Sequence, residues 1–509
     1  MKRKRVLAAL LCGVMTLGLL TGCGGTSGDT GGDSKAAGGD YPTIVMAVDS
    51  STATQAGSSR ISEKISEITR EKYGVNVELM IIEDAAYQQQ MQLMLSSGEH
   101  VDLFNAVYLG LSTCANNGYV LDLEEDDLLA DYGPGIIDVL GEEALDACRV
   151  DGTLYGLSTK KDVGRGLYGF AIGAEYLDTI GYDYNSMYAS EEDEIIYTDM
   201  ETINDIFVQL HEAYPDKYVI APSIGTLRQG PLIDDIGGDY FGVLTDPANS
   251  LEVVDLFQTE EFRELCDTYY TWNQAGYISA DALTDDTTLE TQISAGTALG
   301  YPTSTKPGIK RQTSLLCKRE MIIFQTGEDF VKSSAFTSMP WCINAKTENP
   351  QAAMEVLNGF YTDPELSNLL IWGEEGVEYV ETDDGHITFP DGVTAENSEY
   401  YLGAGYGMPN QFIAHIWEGD SLDIWEKMEE FNHNGIVSKA VGFTFDKTDV
   451  SSEYTALTNV FNEYVKALVF GFTEPESGIA ELESKLKAAG LDDYIAAKQA
   501  ALDEWAASK

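Results

Sequence analysis

Positive charge is scarce in this sequence: 31 lysines and arginines stand against 84 aspartates and glutamates, a formal net charge of −53. A protein that tracks nucleic-acid phosphates needs a basic face, so nucleic-acid binding is excluded. The acidity keeps a protein soluble in an exposed compartment. The run Glu124-Glu125-Asp126-Asp127 reads as a solvated helix start, because it lacks the alternating oxygens and central glycine of a calcium loop. Histidine is rare too. His100, His211, His386, His415 and His433 include no HExxH pair, which removes the usual basis for a zinc hydrolase. No GxSxG occurs. Facing carboxylates would suit a glycosidase, but 84 acidic residues always supply some pair, so that observation decides nothing. Of seven cysteines, Cys12 and Cys23 lie near the N-terminus. Cys114, Cys148, Cys266, Cys317 and Cys342 form an odd set without a CxxC, signalling neither a disulfide framework nor a zinc site. Buried free thiols are expected there. Past the N-terminus no apolar run reaches 18 residues, so no transmembrane helix is expected. The chain reads as a non-enzyme, with no cofactor and no catalytic or metal site.

What is present begins at the N-terminus. Lys2, Arg3, Lys4 and Arg5 precede an apolar run from Val6 to Leu20, then Leu20-Thr21-Gly22-Cys23. A basic stub, a short apolar core and small residues describe an export signal, and the run is short of the roughly 20 residues a membrane span needs. Leu-Thr-Gly-Cys resembles the lipobox of bacterial lipoproteins. That resemblance implies a diacylglycerol on Cys23, a new N-terminus there, and an anchor stabilised by paired acyl chains. Gly24 to Asp40 holds no apolar residue larger than alanine and cannot offset its ordering entropy. As a coil it spans roughly 20–25 Å, a tether between a bilayer and a globular body.

The remaining chain suffices for two or three domains. Short apolar runs alternate with amphipathic stretches, a βα pattern. Thr43 to Val48 reads as a buried strand, and Ile61, Ile65 and Ile68 share a helix face that Gly74 closes. Val75 to Ile82 and Val101 to Val107 read as further strands, with helices at Asp84 to Ser97 and near Leu111 to Asn117. Gly152 to Leu157 reads as an extended hinge piece. A second unit starts near Gly164, with helices at Met200 to Ala213 and Thr259 to Gln274, a strand at Tyr218 to Ala221, and a close near Gly296 to Pro302. Asp384-Gly385 between Val377–Thr382 and Ile387–Phe389 signals a hairpin.

Here the motifs become specific. Asn344-Ala-Lys-Thr-Glu-Asn-Pro-Gln-Ala-Ala-Met354 resembles a "skNPekAm" helix start, with Asn349-Pro350 as the cap. Tyr361-Thr-Asp-Pro-Glu-Leu366 and Trp372-Gly-Glu-Glu-Gly-Val-Glu-Tyr379 resemble its continuation, "ytdpel…l..GiEGvhY". In this order they resemble the family 1 extracellular solute-binding proteins of carbohydrate ABC importers. Gly407-Met-Pro-Asn-Gln-Phe412, Gly442-Phe-Thr-Phe-Asp446, Tyr464-Val-Lys-Ala-Leu468, Leu486-Lys-Ala-Ala-Gly-Leu491 and Gln499 to Trp505 resemble a C-terminal module of unknown role. That module occurs on Gram-positive lipoproteins related to aldouronate and complex-polysaccharide uptake. The usual "GIEG" reads Gly373-Glu-Glu-Gly376 here, and "GNqf" is replaced by Met-Pro-Asn-Gln, departures that bear on ligand type more than on fold.

The resemblance implies an α/β, two-lobe periplasmic-binding-protein-like (class II) fold with a helical C-terminal section. Its segments are a signal at 1–22, a tether at 23–40, lobe I at 41–160 and 305–395, lobe II at 161–304 and 396–470, and C-terminal helices at 471–509. It implies an oligosaccharide ligand, ABC permease partners, and a lipid-anchored place on the outer face of a Gram-positive membrane. A peptide receptor or surface adhesin on the same fold is the alternative. Sugar rings stack on aromatic faces and their hydroxyls need amides and carboxylates; 28 tyrosines are available. In the fold this chain resembles, contacts come from strand ends and crossovers. That implies Asp49, Asn105, Tyr108, Tyr168, Tyr240, Tyr301, Trp341, Tyr406 and Asn410 as ligand-binding. Trp272, Trp425 and Trp505 lie on helical stretches and read as packing.

Overall fold

The computed structural model describes residues 41–190, 194–403 and 405–509. Tyr41–Lys509 forms one compact unit, distinct from 1–40. The export signal, the lipidation at Cys23 and the tether lie outside the described residues. Among those described, no helix is long and apolar enough to cross a membrane.

Two sheets organise the unit. The first has four strands in the order Trp341–Ile343, Leu103–Asn105, Thr43–Asp49 and Asn76–Ile82. Thr43–Asp49 pairs in parallel with both neighbours, and Trp341–Ile343 runs antiparallel to Leu103–Asn105. Five consecutive residues of Thr43–Asp49 are buried, as expected of a parallel strand covered on both faces. Helix Gln55–Lys72 lies against it, with Ile61 and Ile65 fully buried and the Thr54 hydroxyl capping it by accepting from Gly57 N at 3.1 Å.

The second sheet has seven strands built around Arg165–Gly173. This strand pairs antiparallel with Ala298–Thr305, Met321–Gln325 and Asp329–Val331. Each sheet carries its own apolar core. One core includes Met46, Leu103, Trp341 and Phe360; the other includes Phe170, Phe207, Trp272 and Phe324. The chain crosses between them through 158–164, 332–340 and 415–435.

The lobe limits differ from those the sequence suggested. Residues 306–331 stay with the second sheet, because Met321–Gln325 is buried along its whole length between Arg165–Gly173 and Ile195–Tyr197. Residues 396–414 join the first core instead of the second, through Tyr400, Leu402, Met408 and Ala414. Gly152 to Leu157 is not simply extended, since Arg149–Val150 and Thr153–Leu154 form a small antiparallel hairpin before the first crossing. Asn349 makes no side-chain cap bond, although Pro350 does open its helix.

Helices Ser451–Val469, Pro475–Ala488 and Leu491–Ala507 pack on the second core. Just ahead of them, Thr444 hydrogen-bonds Ser112, and Asn116 Nδ2 donates to Asp446 Oδ2 at 3.1 Å. The C-terminal section thus touches both lobes. The turn after the first of these helices depends on Gly471, whose φ is +74° and whose Cβ would lie 2.1 Å from the Tyr269 carbonyl oxygen. Gly471→Ala is expected to cost at least about 1–2 kcal/mol from the left-handed backbone alone, more with the clash. A lowered urea midpoint at unchanged slope would show it.

Candidate functional site

Both sheets present the carboxyl ends of their parallel strands to the crossovers. In the first sheet these ends are Asp49, Ile82 and Asn105; Leu157, leading into the first crossing, bonds the Trp341 carbonyl beside Asn105 at 2.9 Å. In the second, the crossing enters at Arg165, opposite the end of Ala298–Thr305. The two ends therefore flank one cleft, the position where open α/β sheets hold ligands.

The first wall gathers three of the expected residues. Tyr108 is 57% exposed and Tyr406 45% exposed. Burial raises the Tyr406 phenol, and the nearby charges of Asp49, Tyr108 and Asp84 push it further. Burial also raises the Asp49 carboxyl, with Asp84 adding repulsion. Tyr108 sits at φ +63°, a strained position for a bulky side chain, and its carbonyl accepts from Gln88 Nε2 at 2.8 Å.

The second wall opens into a cavity of about 480 Å³, lined among others by Tyr168, Asn204, Gln229, Glu264, Asp267 and Trp272. Tyr168 reaches it through a β-bulge. Gly166 pairs with Thr305 and Gly169 with Thr303, so two residues oppose one, and Tyr168 takes φ +50°. Such bulges re-aim a side chain. Gly230 leaves room for the ring, since a Cβ there would come within 3.0 Å of it. Burial pushes the Tyr168 phenol up to about 12. Trp272 Nε1 donates to Asn204 Oδ1 at 2.8 Å. Gln229 Oε1 is buried and has no hydrogen-bond partner among the described residues. An amide oxygen held this way costs about 1–3 kcal/mol until a donor reaches it.

Five expected residues do not present a free face. Trp341 is 1% exposed, in the first core, with its indole N–H on the Gly407 carbonyl at 3.0 Å. Tyr301 is buried in a small separate core beside the Cys317 thiol. Asn105 Nδ2 donates to the Met339 carbonyl at 3.0 Å while its Oδ1 accepts from Val107 N at 2.9 Å. Asn410 likewise donates to the Tyr361 carbonyl at 2.8 Å and accepts from Phe412 N at 2.9 Å. These two amides tie loops to the core. The Tyr240 ring is stacked on Phe461 at 5.2 Å, with the Arg228 guanidinium 5.4 Å from its centroid.

Trp272, read from the sequence as packing, is buried but also lines the cavity. Its helix Glu260–Gln274 buries Phe262, Leu265, Cys266, Tyr269 and Trp272 as one stripe. Nothing in that periodicity marks which member meets a cavity, and Asn204, Gln229, Glu264 and Asp267 carry no motif.

The bacterial extracellular solute-binding protein family matches residues 64–374, and a domain of unknown function, DUF3502, matches 439–507. The chain is 25% identical over 508 residues to a carbohydrate ABC transporter substrate-binding protein of Streptococcus pneumoniae serotype 4, covering 96% of this chain and 94% of that one. Among solved structures, the N-glycan transport solute binding protein NgtS from Streptococcus pneumoniae aligns with a TM-score of 0.77 at 22% identity, over 91% of this chain and 99% of that one. An HMO-binding, ABC-transporter-associated solute-binding protein from Bifidobacterium longum infantis aligns with a TM-score of 0.61 at 15% identity, over 92% and 99%. Both share its two-lobe fold. With that family matched across more than half of its length, the chain belongs to the bacterial extracellular solute-binding proteins.

Proposed function

We propose that this protein captures an oligosaccharide between its lobes and delivers it to an ABC transporter permease. One observation carries this reading: aromatic side chains on strained backbone face the cleft from both lobes, Tyr108 exposed on the first wall and Tyr168 on the second, where it lines a cavity together with Gln229 and its unpartnered amide oxygen. The cavity volume, about 480 Å³, lies within the usual range for small-ligand sites. Tyrosine and tryptophan faces suit the C–H faces of sugar rings, and Gln229, Asn204, Glu264 and Asp267 can bond hydroxyls. A micromolar Kd corresponds to about −8 kcal/mol, within reach of two stacked rings and several hydrogen bonds. The pneumococcal relative is named for carbohydrate transport, and NgtS structures are described in complex with Man1GlcNAc and Man5GlcNAc. Contacts to both walls would favour a closed state, which the permease would then engage. No step here calls for chemistry on the ligand. Attachment through a lipid on Cys23, holding the unit at the outer face of the membrane, completes the proposal.

Thermal shift against oligosaccharides, with peptides as controls, tests it. A ligand at 100 times its Kd stabilises by about 2.7 kcal/mol, a plain rise in melting temperature. A response to peptides alone would reject the reading. Within it, Gln229→Leu is expected to weaken binding by about 1–3 kcal/mol, while leaving stability unchanged or slightly higher, because the orphaned oxygen is gone. Calorimetric titration beside urea unfolding separates the two effects.

A further inference from the structure

We propose that the floor of the cleft receives an anionic group, so that the ligand is an acidic oligosaccharide whose charged unit lies at the hinge and whose neutral rings lie toward the tyrosines. This inference rests on the oligosaccharide reading and names its substrate class.

Cations are rare in this chain, yet five converge where the lobes join. Lys161 and Lys332 come from two crossings, Arg165 opens the central strand of the second sheet, Lys306 follows Ala298–Thr305, and Arg228 lies in the short helix Thr226–Gln229. Three carboxylates stand among them. Asp162 pairs with Lys306 at 3.2 Å. Asp235 is shared between Arg228 at 2.9 Å and Lys332 at 3.1 Å. Asp234 spends its two oxygens on Ser333, at 2.8 Å to the backbone N–H and 2.7 Å to the hydroxyl.

That leaves Arg165 and Lys161 with no carboxylate at ion-pair distance among the described residues. Arg165 Nη1 reaches only the Arg228 carbonyl, at 3.5 Å, and Lys161 Nζ only the Asp162 carbonyl, at 3.2 Å. Neither is an exposed surface charge. Burial lowers the pKa of Arg165, Lys161 and Lys332; Asp235 opposes this at Arg165 and Lys332, as Asp162 does at Lys161, and neighbouring cations lower each further. Largely buried cations are rarely left without a counter-charge, because burial of charge is costly unless it is paired. In a chain carrying a surplus of carboxylates, withholding one here keeps the place for an anion from outside.

The position fits. Asp162 acts on Tyr406 of the first wall, and Arg165 and Arg228 act on Tyr240 of the second, so the cluster lies between both walls. An arginine fork matches the two oxygens of a carboxylate or the oxygens of a phosphoryl group, and the lysines add point charge. Glu264 and Asp267 lie in the cavity with Tyr168 and would repel that group, which sets the orientation.

Calorimetric titration of the purified protein tests the proposal. The probes are uronic-acid-bearing and sialylated oligosaccharides, their carboxyl-reduced neutral counterparts, neutral glycans and sugar phosphates. An acidic member should bind at least about tenfold more tightly than its reduced form, with a preference that shrinks as salt rises. Arg165→Met should remove most of that preference while sparing the neutral form, and Arg165→Lys should restore part of it. Should Arg165→Met not fold, Lys161→Gln carries the same comparison. Binding of sugar phosphates alone would place the charge on a phosphoryl group and keep the anion site. Equal affinity for acidic and reduced forms, or binding of neutral glycans only, overturns the anion site and leaves oligosaccharide capture standing. Silence across every glycan overturns capture itself, and this inference with it.

Discussion

Trp341→Ala lowers the unfolding free energy by about 3–5 kcal/mol, the cost of emptying a buried tryptophan site. The ring is fully packed in the first core and its indole N–H holds the Gly407 carbonyl, so truncation also removes one of that oxygen's two donors, leaving Asn105 Nδ2 at 3.3 Å. Affinity of the protein that remains folded is unchanged, because no face of the ring meets the cleft. Tyr406→Ala behaves in the opposite way. Its ring is half exposed, so stability moves within about 0.5 kcal/mol, and stacking lost from the ligand costs about 0.5–1.5 kcal/mol of binding. Urea unfolding and calorimetric titration at low temperature read both quantities on both variants. Lost affinity at full stability in Trp341→Ala would return that residue to the ligand.

The second large effect lies at Lys498, fully buried in the last helix. Its ammonium donates to Asp239 Oδ1 at 2.8 Å and to the Gly242 carbonyl at 3.0 Å. Tyr494 and Lys447 also hold Asp239, at 2.7 and 3.0 Å. Lys498→Met leaves a buried carboxylate short of charge and an orphaned carbonyl, an expected loss of about 3 kcal/mol, the lower end of the usual range because Lys447 remains. Asp239 anchors the loop that carries Tyr240, so the second wall loosens and ligand affinity falls as well. In Lys498→Met/Asp239→Leu part of the stability returns, since no buried carboxylate is then left short of charge, while Lys447 and the Tyr494 hydroxyl lose the partner they shared. Denaturant unfolding of the single and double variants checks this; an additive double variant would show that the pair does not act together.

Much of the fold was legible because its elements are strongly patterned. Thr43–Asp49 is an unbroken apolar strand, Ile61 and Ile65 mark a helix face, and Asp384-Gly385 turns the hairpin between Val380–Glu381 and Ile387–Thr388. Lobe membership was less legible. Met321–Gln325 is apolar enough for either sheet, and only tertiary pairing assigns it to the second. Residues 396–414 hold no periodic pattern, so nothing local announces that Tyr400 and Met408 enter the first core.

The same limit governs the site. Strand ends could be located, which brought Asp49, Tyr108 and Tyr406 together on one wall. Which way a side chain faces depends on register, and Trp341 and Tyr301 turned inward to cores. Tyr168 faces the cavity because of a bulge that no residue pattern signals. Lys161, Arg165, Arg228, Lys306 and Lys332 are scattered along the chain, and only the folded crossings assemble them.

The central claim is that one ligand is held by both lobes at once. Spin labels at introduced cysteines, Leu93→Cys on the first lobe and Val208→Cys on the second, would sit on exposed positions. In protein expressed from Gly24, which lacks Cys12 and Cys23, the five remaining native cysteines are buried, and burial pushes Cys114 and Cys148 up to about 12, so labelling is confined to the introduced sites. Pulsed dipolar spectroscopy then gives the distance between lobes with and without a bound oligosaccharide. The account predicts a shift to a single altered, narrower distance at saturation. A distance distribution unchanged by a ligand that binds tightly would contradict it.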